Sequence, residues 1–491
     1  MELLKQLLTF QANNPLQFNS VMFFVLFTGF YTIYSMVLRN VSIRNFWLLI
    51  FSLFFYYKIG NSFVFLLIAM ASSDFFIGKG IAATQKNGKR NALLALSLTI
   101  NIGLLLFFKY TQFFLDSWLG FTQQSAINLH ILQPIGISFF VFKTLSYIFD
   151  VHREMIEEPE KNYINYLLYV SFFPTILAGP IAKARNLLPQ FKQPVIITSA
   201  IVGRGLFFIL SGLFFKIAIA DYLAVNFVDR VFDAPIYFSG FEAALASLGA
   251  MFQIYYDFAG YTNMVLGMAL LMGFQIEPNF NKPFLAKNIT DFWRRWHITL
   301  STWFNEFLFT PLSFSFRRFQ KFGAILAVLI TFFVSGFWHG AAWTYILWGL
   351  SHGVAIAWDT ASQKGRKKVA SLIPKAIYNP LSILLTVIFL SLSVVLFKSG
   401  DLLKAKEVYS LIFTKLDLSL FTQWISAYFY PAIVMLLAIA LHYLPQQLTE
   451  KAIQLFTRLH WVLKVIVICV FSIFMYQIYI SASQPFIYLI Y

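Results

Sequence analysis

A single cysteine, Cys469, stands among 491 residues. No intrachain disulfide and no cysteine-built metal cluster can come from this chain. Cys469 falls inside the apolar run Val465–Phe474, which reads as a small buried hydrophobe. Charge is scarce too. Only 12% of residues are Asp, Glu, Lys or Arg, against roughly 25% in an ordinary soluble domain. Acidic residues are the rarer sign, 21 against 37 basic ones. A soluble globule, a disordered chain and a fibre are excluded. What fills the chain instead is apolar: 59% hydrophobic and 19% aromatic. A bilayer is the solvent that lets such side chains face outward.

Twelve apolar runs are expected to be spans: Val21–Val37, Phe46–Tyr57, Phe63–Phe76, Ala92–Phe108, Ile131–Phe149, Ile201–Ile219, Ala243–Phe274, Gly323–Phe337, Ala341–Trp358, Leu381–Phe397, Ala427–Leu444 and Trp461–Ile480. Several are shorter than the ~20 residues of a perpendicular crossing, so their flanks must extend them. The first run reads as a retained span and not as a cleaved leader. No internal repeat is visible.

The net charge of +16 would point to nucleic acid on a soluble protein. Here most basic residues fall in loops that alternation assigns to the cytosol, with the N-terminus extracytoplasmic. The excess is a positive-inside signature, and no nucleic-acid partner is expected. Alternation fails once, at 166–180, where Ala178-Gly-Pro180 suits a re-entrant element. The loop with Asp221, Asp229 and Asp233 then lies outside. The chain is expected to form one membrane domain over 1–491 with about eleven or twelve crossings and a cytosolic interfacial region at 276–321.

Polar residues at membrane depth carry the functional signal, because each is costly there. Gln253, Asp257, Tyr261 and Asn263 interrupt one apolar run. They form either a packing network or a substrate-facing patch. In Asn288-Ile-Thr-Asp291, Asn288 is the expected N-cap of a helix with Asp291 in its first turn. Arg294 and Arg295 follow between tryptophans. They are either interfacial anchors or a fork for the phosphates of a cytosolic donor. His339, between Gly336 and Gly340 in the motif 335–353, can take a proton near neutrality. His352 reads as structural. His130, His152, His442 and His460 read as interfacial. Lys143, Asp150 and Lys216 are further buried charges that could pair.

Two motifs stand out, Asp291-Phe-Trp-Arg-Arg-Trp-His-Ile-Thr-Leu-Ser-Thr-Trp303 and Phe337-Trp-His-Gly-Ala-Ala-Trp343. They resemble those of the membrane-bound O-acyltransferase family, in its bacterial alginate O-acetyltransferase-like branch. Gly136-Ile-Ser-Phe-Phe140, Ser146-Tyr-Ile-Phe-Asp150, Phe172-Phe-Pro174, Ala178-Gly-Pro180 and Tyr256-Asp-Phe-Ala-Gly-Tyr261 extend the likeness. So do Phe18-Asn19-Ser20 and Gln484-Pro-Phe-Ile487. The resemblance implies an all-α polytopic fold, a ring of tilted helices with re-entrant and interfacial elements around a funnel. It implies acyl transfer to a hydroxyl with His339 and His297 as catalytic residues. Arg294, Arg295, Asn305, Trp338, Asp257 and Tyr261 are the expected donor- and substrate-binding residues, without a metal or bound cofactor. Acetyl-CoA would be the donor. The acceptor would be an exported cell-surface polysaccharide, or a periplasmic or surface acetyl-relay protein, at a bacterial inner membrane. Two positions depart from the pattern: Asn263, where relatives often carry aspartate, and Pro311-Leu-Ser-Phe314 in place of Pro-Leu-Gly-Gly. D-alanyl transfer from a carrier protein to teichoic acid and a non-enzymatic transporter or flippase are the alternatives.

Overall fold

A computed structural model describes residues 7, 9–11, 15–482 and 484–486. Ile487 of the closing motif and the extreme N-terminal residues lie outside the described residues. The described part is helical, with no β-strand among the described residues. Two compact units emerge: residues 1–209 with 264–277, and residues 210–263 with 278–491.

The first unit holds α1 (Val21–Val37), α2 (Val41–Gly60), α3 (Phe63–Ala82), α4 (Asn87–Phe121), α5 (Ile137–His152), α6 (Tyr163–Ser171) and α7 (Ala184–Phe191). Its polar residues are spent on joining helices. Asp74 of α3 is fully buried and accepts from Ser97 Oγ at 2.6 Å and Asn101 Nδ2 at 2.7 Å, both on α4. Asn101 Oδ1 in turn accepts from Thr144 of α5 at 2.9 Å. Buried Arg44 donates to the carbonyl of Phe191 at 2.8 Å, closing the C-terminal end of α7.

The apolar run expected from Ile131 becomes helical only at Ile137, because Gly136 adopts φ +77° as the N-cap. A Cβ there would also lie 2.9 Å from the Ile176 carbonyl oxygen. In the segment 166–180 the chain is helical to Ser171, then irregular as far as Lys183 and buried through Ile181. Lys143 Nζ donates to Thr175 of that stretch at 3.0 Å, and Arg185 binds Asp150 at 3.0 Å.

The second unit takes most of α8 (Ser199–Asp233) and α9 (Gly240–Leu271). It continues with α10 (Ile289–Trp293) and α11 (Ile298–Phe304, prolonged by a π turn and a last turn to Ser315). Then come α12 (Gln320–His339), α13 (Trp343–Ala361), α14 (Gln363–Leu372), α15 (Lys375–Lys398), α16 (Leu402–Thr414), α17 (Phe421–Ala427), α18 (Phe429–Tyr443), α19 (Gln446–Arg458) and α20 (Trp461–Ala482).

The expected outer loop at Asp221–Asp233 is corrected: these residues continue α8. The helix runs on because π-type turns cover Phe214–Asp221 and Ala224–Val228. That i→i+5 geometry brings Asp221 beneath Lys216, five residues earlier. Lys216 Nζ lies 2.7 Å from Asp221 and 2.6 Å from Asp257 of α9. It also donates to the Pro485 carbonyl at 3.1 Å. Asp229 pairs with Lys398 at 2.6 Å. Cys469 is corrected as well. It is exposed on α20, a helix whose apolar window is only 6% buried and whose free face suits lipid.

Six described helices are long and apolar enough to cross a membrane, or seven if α17 and α18, bent by 103°, form one span with the preceding turn. A close crossing joins α12 to α13. A Cβ on Gly336 would sit 3.0 Å from Gly349 Cα, and one on Gly349 would meet the Phe332 carbonyl oxygen. Small residues at such a contact let two membrane helices approach backbone to backbone. The hairpin they form carries His339 at its bend.

Candidate active site

His339 is the last residue of α12. Gly340 follows in extended conformation (φ −168°, ψ 152°), and α13 begins at Trp343. The bend is tight because the Tyr345 ring packs on Gly340, where a Cβ would collide with it. The His339 ring is 4% exposed and stands edge-on to three aromatic rings. Trp338 and Trp348 lie at 5.0 Å, and Phe397 of α15 at 5.6 Å.

His297 reaches the same neighbourhood from another element. The expected interfacial helix over this motif is broken here. α10 ends at Trp293, and His297 takes a left-handed backbone (φ 44°, ψ 53°) as the N-cap of α11. A non-glycine residue in that region is strained, and such strain persists where the surroundings hold it. The holder is Asn279, fully buried. Its carbonyl oxygen accepts Ile298 N at 2.9 Å, and its side chain accepts Thr299 Oγ1 at 2.6 Å. His297 packs against Phe258 of α9 at 4.7 Å and faces Trp338 at 6.5 Å. Trp338 therefore has both histidine rings as neighbours. Burial pushes the His297 imidazole down to about 3, so it is neutral at physiological pH.

Asn288 caps α10 as expected, its Oδ1 accepting Asp291 N at 2.8 Å. Arg295 is tied back to Asp291 at 2.9 Å. Arg294 is exposed and lines two cavities. One, about 530 Å³, also touches Trp293, Ser301, Asn305, Thr331 and Ser335. The other, about 480 Å³, is more polar and adds Lys287, Asp291, Asp359 and Arg366. The two share Thr290, Arg294 and Thr360. Thr331, Ser335 and His339 fall four apart on α12, hence on one face, so the larger cavity ends one turn from His339.

Asp257 and Tyr261 are elsewhere. Asp257 is bound by Lys216, and Tyr261 packs on Phe486 at 5.1 Å. Neither lines the two cavities. His442 is corrected from interfacial to buried: its Nε2 accepts Phe284 N at 3.1 Å. Sequence reasoning missed Asn279, a loop asparagine that nothing in its neighbours distinguishes. It also missed Asp359, which accepts Thr290 N and Oγ1 at 3.0 and 3.1 Å from the foot of α13. An aspartate ending an apolar run beside basic residues was the available signal there.

Residues 51–397 match the model of the membrane-bound O-acyltransferase family. The chain belongs to that family. It is 35% identical over 422 residues to a peptidoglycan O-acetyltransferase of Helicobacter pylori, covering 80% of this chain and 79% of that one. A probable alginate O-acetylase of Pseudomonas aeruginosa is 33% identical over 398 residues, covering 80% and 73%. A teichoic acid D-alanyltransferase of Bacillus subtilis is 30% identical over 247 residues, covering 49% and 62%. This O-acyltransferase is thus an all-α, multi-pass membrane enzyme. The enzyme reading displaces the transporter alternative, and the buried charges expected to pair do so: Lys216 with Asp221 and Asp257, Asp150 with Arg185.

Proposed function

We propose that this O-acyltransferase moves an acetyl group from cytosolic acetyl-CoA to hydroxyls of an exported cell-surface polysaccharide, directly or through an extracytoplasmic relay protein. It would sit in a bacterial inner membrane with its N-terminus outside. The observation that carries the reading is the cavity along α12, open beside Arg294 and ending one turn from His339. The acyl-pantetheine arm would occupy it, with the phosphates near Arg294 and Arg366 in the adjoining polar cavity.

His339 takes the proton of the acceptor hydroxyl as that oxygen attacks the thioester carbonyl. The C–S bond then breaks, and the thiolate leaves with the proton from the imidazolium. The charge that forms on His339 lies at the C-terminal end of α12, where the helix dipole favours a cation. Neutral His297 is suited to donate to the oxyanion and not to accept the proton. A double displacement through acyl-histidine is the less direct route.

Two outcomes test the roles. Arg294→Gln is expected to raise the KM for acetyl-CoA about tenfold, equivalent to about 1.4 kcal/mol, with little change in kcat. The assay is donor-dependent acetylation by protein in vesicles, and an unchanged KM contradicts the cavity assignment. His297→Ala is expected to cut the rate roughly 10²-fold, as loss of an oxyanion donor does, and to lower abundance far less. Equal losses in both would make His297 structural. D-alanyl transfer is the second reading, favoured by the teichoic acid D-alanyltransferase likeness. Feeding labelled acetyl-CoA or a labelled, charged carrier separates the two.

A further inference from the structure

We propose that His352 is a positioning residue that straps the wall of the donor cavity to the helix beside His339. The hydrogen bonds around it fix its tautomer. Trp293 Nε1 lies 3.2 Å from His352 Nδ1, and an indole N–H can only donate, so Nδ1 accepts. On the other side Nε2 lies 3.2 Å from Ser393 Oγ, whose own hydrogen is directed to the Leu390 carbonyl at 2.9 Å. The Ser393 oxygen therefore accepts, and the proton of His352 is on Nε2. Both ring nitrogens of a fully buried, neutral imidazole are in use.

The chain of bonds runs from α10 through α13 to α15. It is half of a two-point attachment. Seven residues further along α13, Asp359 accepts from Thr290, three residues before Trp293. Two turns of one helix thus match one turn of the other. The short helix α10 carries Trp293 and leads into Arg294, both on the donor cavity. The other face of His352 packs on Trp348 at 5.0 Å, the ring that stands 5.0 Å from His339. Behind His352, Trp348 and Phe397 lies a void of about 50 Å³. Without the imidazole, both tryptophans have room to move. His352 thus sets the distance between where the donor is held and where its ester is attacked. It needs no contact with substrate to do so.

This inference rests on the donor reading above, and its test separates the two. His352→Ala and Trp293→Phe, the latter keeping the ring and losing only the N–H, are each expected to raise the acetyl-CoA KM about tenfold. The acceptor KM should stay as in the wild type. Because both variants cut one bond, the double variant should be no worse than the worse single one. Hydrogen exchange over residues 289–299 should rise in both and not in Arg294→Gln. An unchanged donor KM in both variants while Arg294→Gln raises it overturns the strap, as does a hundredfold, additive double. An unchanged donor KM in all three overturns the donor reading, and the strap then stands or falls on the exchange data. If His352→Ala fails to accumulate, Trp293→Phe and Ser393→Ala decide alone.

Discussion

Alanine in place of His339 is expected to remove O-acyl transfer, by roughly 10²–10⁴-fold if only general-base help is lost. The protein should still insert and accumulate. The ring sits at a hairpin bend that other contacts already fix. The Gly336–Gly349 crossing sets the approach of α12 and α13, and Tyr345 on Gly340 sets the bend. His339→Gln is the cleaner companion, since it keeps most of the buried volume and offers no base. Both variants should show the same loss, read as acetyl transferred per amount of membrane-inserted protein. Full transfer by either removes the histidine from the chemistry. Loss of protein in step with activity makes it a packing residue.

Methionine in place of Lys216 is expected to hit stability instead. The ammonium is 0% exposed by residue and lies against two carboxylates, Asp221 and Asp257, that are themselves nearly sealed. Removing one partner of a buried pair typically costs ~3–5 kcal/mol, because the remaining charge is left uncompensated. Here two carboxylates would be stranded. Abundance and midpoint temperature in detergent should both fall. Adding Asp221→Asn and Asp257→Asn to Lys216→Met should recover much of the loss, because the stranded charge is gone. No loss in the single variant, or no recovery in the triple one, would contradict the structural role of Asp257 and reopen a substrate-facing one.

Much of this was legible in the residues. Each of the twelve apolar runs overlaps a helix, although the one from Ile131 is helical only from Ile137 and the one from Ala427 is broken at its start by a 103° bend. Flanks extended short ones, as where Phe63–Phe76 became the 20-residue α3. His339 stood out because a polar ring in an apolar run needs a reason to be there, whereas His297 came only with the family resemblance. Three features were not legible, each because it depends on contacts distant in sequence. The π turns of α8 hold Asp221 inside the helix because Lys216 neutralises it, whereas composition alone makes three aspartates look like a loop. The left-handed turn at His297 is imposed by Asn279, eighteen residues earlier. The two straps from α13 to α10 join residues 69 and 59 apart. Arg294 and Arg295 look equivalent in sequence. A salt bridge to Asp291 takes one, and the other is left on the cavities.

The most direct test is a cryo-EM structure of the enzyme with a thioether analogue of acetyl-CoA that cannot be cleaved. The analogue should lie along α12 with its phosphates beside Arg294. Its acyl carbonyl should be close enough to His339 for an acceptor oxygen to fit between them, about 3 Å from each. An analogue bound away from that cavity, or an acyl group that the His339 ring cannot approach, would contradict the assignment of this imidazole as the base.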